Sequence, residues 1–140
     1  MSAASGLAVA ILLTIALFHA LWGLGLSVPA SDRAALARMV IGQTRVPPPG
    51  ACFVVAFGVA AIAGAAAMAA GWIAAPGPLF AAARLMCWLA VAVFAARAVA
   101  GYSPPFDRVF GLEPFHTLNR LIYSPLCALL AALLAVTARG

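Results

Sequence analysis

Four apolar runs constrain this chain more than any motif does. A membrane-spanning helix needs about 20 consecutive, mostly apolar residues, and four stretches meet that length. They are "GLAVAILLTIALFHALWGLGLSV" (6–28), "GACFVVAFGVAAIAGAAAMAAGWIAA" (50–75), "PLFAAARLMCWLAVAVFAARAVA" (78–100) and a last run ending near residue 137. Counted only from Pro125, the last run is 13 residues, or about 20 Å at 1.5 Å per residue, which is too short to cross. The fourth span therefore begins near Pro114 and carries a kink at Pro125. The polar segment "PFHTLNRLIYSPLC" (114–127) becomes the first turns of a helix rather than a loop.

Composition excludes the soluble alternatives. The chain is 66% hydrophobic and 8% charged, whereas a soluble domain carries roughly 25% charged residues. There is too little polar surface to face water. The net charge of +5 comes from arginines scattered between apolar spans, with no basic face on which nucleic acid could bind. The first span lacks the basic leading segment of a signal peptide, and its apolar stretch exceeds the usual length for one. The reading is an all-α chain, a single integral membrane domain (1–140) folded as a four-helix transmembrane bundle.

Arginines set the expected orientation. Arg33, Arg38, Arg45, Arg97, Arg108 and Arg120 lie in or beside the two long loops, and only Arg84 and Arg139 lie at the other end. The positive-inside tendency then places the long loops in the cytoplasm and both termini outside. Each long loop also reads as a short interfacial helix. In "SDRAALARMVIG", Ser31 or Asp32 can cap the start, and Leu36, Met39 and Val40 share a face. In "FDRVFGLE", Phe106, Val109 and Phe110 do the same.

A shift of 75 residues aligns the two loops without a gap. Pro29 falls on Pro104, Asp32 on Asp107, Arg33 on Arg108, Arg45 on Arg120 and Cys52 on Cys127. Such matches describe a duplicated helical hairpin, a parallel repeat about an axis along the membrane normal. In the second span, Ala60 with Gly64 and Ala67 with Gly71 are spaced by four, the pattern of a close helix–helix contact.

Ionisable groups inside spans are functional candidates by default. His19 lies about 15 Å below Pro29 along the first span, with Trp22 one turn above it. Arg97 takes the position equivalent to Trp22 under the 75-residue shift, so the two should share a depth. It reads as snorkelling toward the loop side, as a cation–π partner of Trp22 or as a captor of an anionic ligand. Glu113, His116, Arg120, Tyr123 and Cys127 are spaced by 3, 4, 3 and 4, one stripe on an α-helix, with Asn119 beside it. These polar groups read either as an interfacial anchor or as one wall of a pocket facing His19, Trp22 and Arg97.

No cofactor is predicted. Bis-histidine haem needs two histidines at one depth, and His19 and His116 are at different depths. The cysteines show no metal-ligand spacing, so no metal is expected, and no nucleophile triad or phosphate loop occurs. The functional expectation is binding of a small hydrophobic or anionic ligand, a lipid or a partner subunit at the arginine-rich end. Two alternatives stay open: an intramembrane enzyme using His19 and Arg97 with Glu113 or His116, and a homo-oligomeric transporter or channel subunit.

The chain also resembles a family of small bacterial four-span membrane proteins, classed as a domain of unknown function. The resemblance rests on His19, Trp22 and Gly25 near the end of the first span, Arg97 closing the third, and Tyr123-Ser124-Pro125-Leu126-Cys127 in the last. It extends over nearly the whole chain. One departure is Asn119, where the resemblance implies an aspartate before Arg120 and Tyr123. It implies the four-span topology and supplies no activity.

Overall fold

A computed structural model describes residues 2–140. Four helices are long and apolar enough to cross a membrane: α1 (Ala3–Gly23), α3 (Pro49–Ala69), α4 (Gly77–Ala100) and α6 (Phe115–Arg139). Two short helices, α2 (Arg33–Val40) and α5 (Pro104–Phe110), occupy the long loops. No strand occurs among the described residues. A 21-residue helix is about 31 Å long, which matches the hydrocarbon thickness of a bilayer.

Local chemistry sets the boundaries, and the first two spans end earlier than hydropathy alone suggests. The Ser2 hydroxyl caps α1 by accepting from the Ser5 amide at 3.1 Å. Gly25, at φ +94°, then turns the chain out of α1, with Leu26 N–H bonded back to Leu21 C=O at 3.0 Å. Gly71, at φ +75°, closes α3 in the same way through Trp72 N–H and Ala67 C=O at 2.9 Å. Both are glycine-terminated helix ends in which a left-handed residue lets orphan carbonyls find donors. The apolar residues beyond each glycine are loop, which a hydropathy count cannot separate from helix. At the opposite ends, α3 and α4 start on prolines in the first turn, where a missing N–H costs nothing.

The helices form a ring in which α1 packs on α3, α3 on α4, α4 on α6 and α6 on α1. The closest pairs are α1 with α3 and α4 with α6. The first two spans thus form one hairpin and the last two another. Ser124, where the regular α-helical part of α6 begins, stands 75 residues after Pro49, the start of α3. The loops do not keep the symmetry. Asp32 caps α2 by accepting from the Ala35 amide at 2.8 Å, whereas Asp107 lies inside α5 and pairs with Arg120.

The core is small and dry. Leu12 from α1 and Leu130 and Leu134 from α6 interlock with Ala63 and Ala66 of α3 and Ala83, Cys87 and Ala90 of α4. Lipid tails are as apolar as leucine, so such helices associate through close packing of small residues. The small residues in contact are alanines, which corrects the expected Ala60/Gly64 face. A Cβ placed on Gly64 or on Gly71 meets nothing within 4 Å. A close approach made by glycine occurs instead at Gly23, where a Cβ would come within 3.0 Å of the Phe53 ring.

Candidate functional site

The polar groups gather at the loop end, around the start of α6. Pro125 has no N–H to give, so α6 cannot keep a regular bond pattern through the turn before it. The helix widens there into a π turn, Asn119–Tyr123, with the Ser124 amide bonded five residues back to Asn119 C=O. In that register the Arg120 carbonyl looks toward residue 125, a proline with no donor. The Tyr102 hydroxyl fills the gap, donating to Arg120 C=O at 2.8 Å. Single π turns of this kind recur at functional sites. Here the sequence supplies the cause.

The π turn brings Asn119 and Ser124 together. Five residues apart, they would lie well off one another's face on a regular α-helix. Instead the Ser124 hydroxyl donates to Asn119 Oδ1 at 3.1 Å. Asn119 Nδ2 donates to Gly101 C=O at 2.6 Å, and Arg97 Nη2 donates to Asn119 Oδ1 at 2.9 Å. Arg97 Nη1 lies 3.5 Å from Ser124 Oγ. Asn119 and Ser124 are essentially inaccessible, at 1% and 0% exposure. Gly101 is required because a Cβ there would overlap Ser124 Oγ and sit 2.7 Å from Arg97 Nη1.

Arg97 is half-buried, and the face of its guanidinium lies over the Phe106 ring at 4.6 Å. Its hydrogen-bond partners are neutral, and no carboxylate of the described residues lies within ion-pair distance. The contact with Phe106 replaces the expected one with Trp22. Beyond that ring, Phe106, Phe110 and Tyr123 surround the buried Phe115, with centroids 5.6 to 6.5 Å from it. The Tyr123 hydroxyl donates to Met39 C=O at 3.0 Å, which ties α6 to α2. Gln43 donates to Val109 C=O at 3.1 Å, and Gly42, at φ +63°, sits against the Phe110 carbonyl. The two loops thus clasp over the bundle end. Val109, expected on one face with Phe106 and Phe110, is 57% exposed.

A second polar group is more exposed. Arg120 Nη2 reaches Asp107 Oδ2 at 2.7 Å. His116 stands between two carboxylates, with Nε2 3.6 Å from Asp107 and Nδ1 3.4 Å from Glu113. The Arg120 guanidinium holds the Asp107 carboxyl below its ordinary range. For Glu113, desolvation pushes the carboxyl up, but hydrogen bonds from Thr117 and His116 together outweigh it and leave the value lowered. The expected stripe is therefore split. Glu113, His116 and Arg120 join this exposed network, while Tyr123, the last residue of the π turn, points to α2.

His19 and Trp22 lie elsewhere. His19 Nδ1 donates to Ile15 C=O of its own helix at 2.8 Å, and its ring packs on Trp22 at 4.8 Å. Trp22 Nε1 donates to Val28 C=O at 2.7 Å. Among the described residues, no hydrogen bond, ion pair or ring contact joins either residue to Arg97. Their helices α1 and α4 are not neighbours in the ring. No cluster of His, Cys, Asp or Glu able to hold a metal occurs among the described residues. Gly101, Tyr102, Phe115 and Ser124 were not singled out as site residues by spacing. The available signal was Pro125, whose missing donor must disturb the turn containing Asn119.

Fold and site define an all-helical protein with four membrane-length helices and a buried polar knot at one end. The chain belongs to the family described as protein of unknown function (DUF3995), whose model matches residues 12–134. No curated protein and no solved structure matches the chain.

Proposed function

We propose that this is a bacterial cytoplasmic-membrane protein that binds a small anionic or hydrophobic ligand, a lipid or a partner subunit at its arginine-rich end. The long loops then face the cytoplasm, following the six arginines at that end against two at the other. One observation carries the reading. Arg97 sits half-buried with only neutral hydrogen-bond partners. A charge removed from bulk water without a counter-charge is costly, and an arriving anion offsets that cost.

The other readings draw less support. A conduction path through one copy would have to pass the dry core of Ala8, Leu12, Leu130 and Leu134. An enzyme built on His19 and Arg97 would need them to converge, and His19 is engaged by its own helix. Native mass spectrometry of the detergent-extracted protein tests the binding reading. Wild type should retain an additional mass whose occupancy falls at least tenfold in Arg97→Gln. A wild type with nothing bound, or equal occupancy in the variant, would overturn it.

A further inference from the structure

We infer that the ligand is an anionic phospholipid of the surrounding bilayer, with its phosphate against Arg97 and one acyl chain in the groove between α3 and α4. This rests on the binding reading above and deepens it. The groove has a volume of about 360 Å³ and an entirely apolar lining, including Val55, Gly58 and Ile62 of α3 and Met86, Ala90 and Phe94 of α4. From Val55 to Ile62 it runs about 10 Å along the helix axis, at 1.5 Å per residue. Gly58 opens it, since a Cβ there would meet nothing within 4 Å. Its rim is exposed at Val54, Val93 and Leu89, apolar residues that a surrounding bilayer would cover.

The groove and Arg97 are stacked along α4. Phe94 and Val93 precede Arg97 by three and four residues, so all three lie close to one face, within about 6 Å of rise. The apolar slot therefore ends one turn below a guanidinium in the last turn of α4. Arg97 uses two of its N–H groups on Asn119 and Ser124, and an arginine carries five. A planar guanidinium with spare donors matches a phosphate oxygen pair. Arg120 makes the contrast, because Asp107 already neutralises it. The ligand that satisfies both features is amphiphilic, enters sideways from the bilayer, and carries one oxyanion at the end of an apolar chain.

The test compares wild type, Arg97→Gln, Arg97→Lys and Gly58→Leu, each extracted and delipidated in a neutral detergent. Phosphatidylglycerol or phosphatidylcholine with identical chains is then added, and retention is read by native mass spectrometry. Helicity by circular dichroism checks that each variant is folded. Wild type should retain phosphatidylglycerol at least tenfold over phosphatidylcholine. Arg97→Gln should bring that ratio near one, and Arg97→Lys should keep part of it. Gly58→Leu, which fills the slot without touching Arg97, should lower retention of both lipids at least fivefold.

An unchanged ratio in Arg97→Gln overturns the proposal. If binding depends on Arg97, ignores Gly58→Leu and is displaced by millimolar inorganic phosphate, the site takes a simple anion. The phospholipid is then wrong and the binding reading stands. If wild type is a dimer that Gly58→Leu dissociates, the groove belongs to a second copy and the proposal fails. If wild type retains neither lipid and no other ligand, both readings fail together.

Discussion

The two ends of the bundle use arginine in different ways. At the end holding the termini, Arg84 Nε donates to Ala138 C=O at 2.8 Å, and Arg139 lies over the Trp88 ring at 5.9 Å. Arg84 meets an orphan carbonyl in the last turn of α6, where a helix carries partial negative charge. That end is closed by Thr137, whose hydroxyl reaches Ser5 Oγ at 3.0 Å across the α6–α1 contact. Arg84, Ser5 and Thr137 are spent on the fold there, and the Trp72 Nε1 donor is buried without a partner among the described residues. At the loop end, Arg97 is held by an amide and a hydroxyl that are themselves fully buried, and its charge has no counterpart. The comparison teaches that a neutral partner is not itself the signal, since Arg84 also has one. Arg84 and Arg139 are exposed, whereas Arg97 is half-buried with buried neutral partners.

The largest effect that would break this contrast is expected at Gly101. Gly101→Ala forces a methyl into Ser124 Oγ and the Arg97 guanidinium. It should lower unfolding stability by about 3 kcal/mol, the upper range for overpacking, measured by reversible denaturation in mixed micelles. Next is Tyr102→Phe, which removes the donor that serves the Arg120 carbonyl in the π turn. A loss of about 1 kcal/mol is expected, as for one ordinary hydrogen bond. Faster amide hydrogen exchange should be confined to residues 119–124.

Acidification should act on the loop end more than on the other. The carboxyl of Asp107 is lowered in the folded protein, so its stabilising share is present above the free aspartate value of about 3.9 and is lost as pH falls through the lower folded value. As pH falls through that folded value, α5 should loosen from α6, seen as increased exchange over residues 104–118. The Ser5–Thr137 contact should be unaffected. The smallest effect is predicted for Gly64→Ala, whose Cβ would meet open space. It should change stability by less than about 0.5 kcal/mol, against a marked loss for Ala66→Leu in the sealed core.

Much of the fold was legible because hydropathy and length are local properties. The demand that the last span reach across the bilayer was enough to place His116 and Asn119 on a helix, and α6 does begin at Phe115. The ends of α1 and α3 were misjudged, since Leu26 and Ile73 are as apolar outside a helix as inside one. The site was legible in its ingredients and not in its grouping. A 3.6-residue period ran Tyr123 into line with Arg120, and only the π turn forced by Pro125 separates them. The pairing of Arg97 with Asn119 crosses 22 residues and leaves no periodic trace. The 75-residue shift gave Arg97 and Trp22 similar depth but could not show that they stand on opposite members of the ring.

The central claim is that Arg97 engages an oxyanion, and the most direct measurement is nitrogen–phosphorus dipolar dephasing by solid-state NMR. The protein, with ¹⁵N-arginine, is reconstituted in phosphatidylglycerol bilayers and compared with Arg97→Gln. The account predicts a dephased guanidinium signal in wild type that is missing from the variant, showing a phosphate held within about 4–5 Å of Arg97, the scale of a charge-assisted hydrogen bond through its intervening oxygen. Identical dephasing in the two proteins would contradict it.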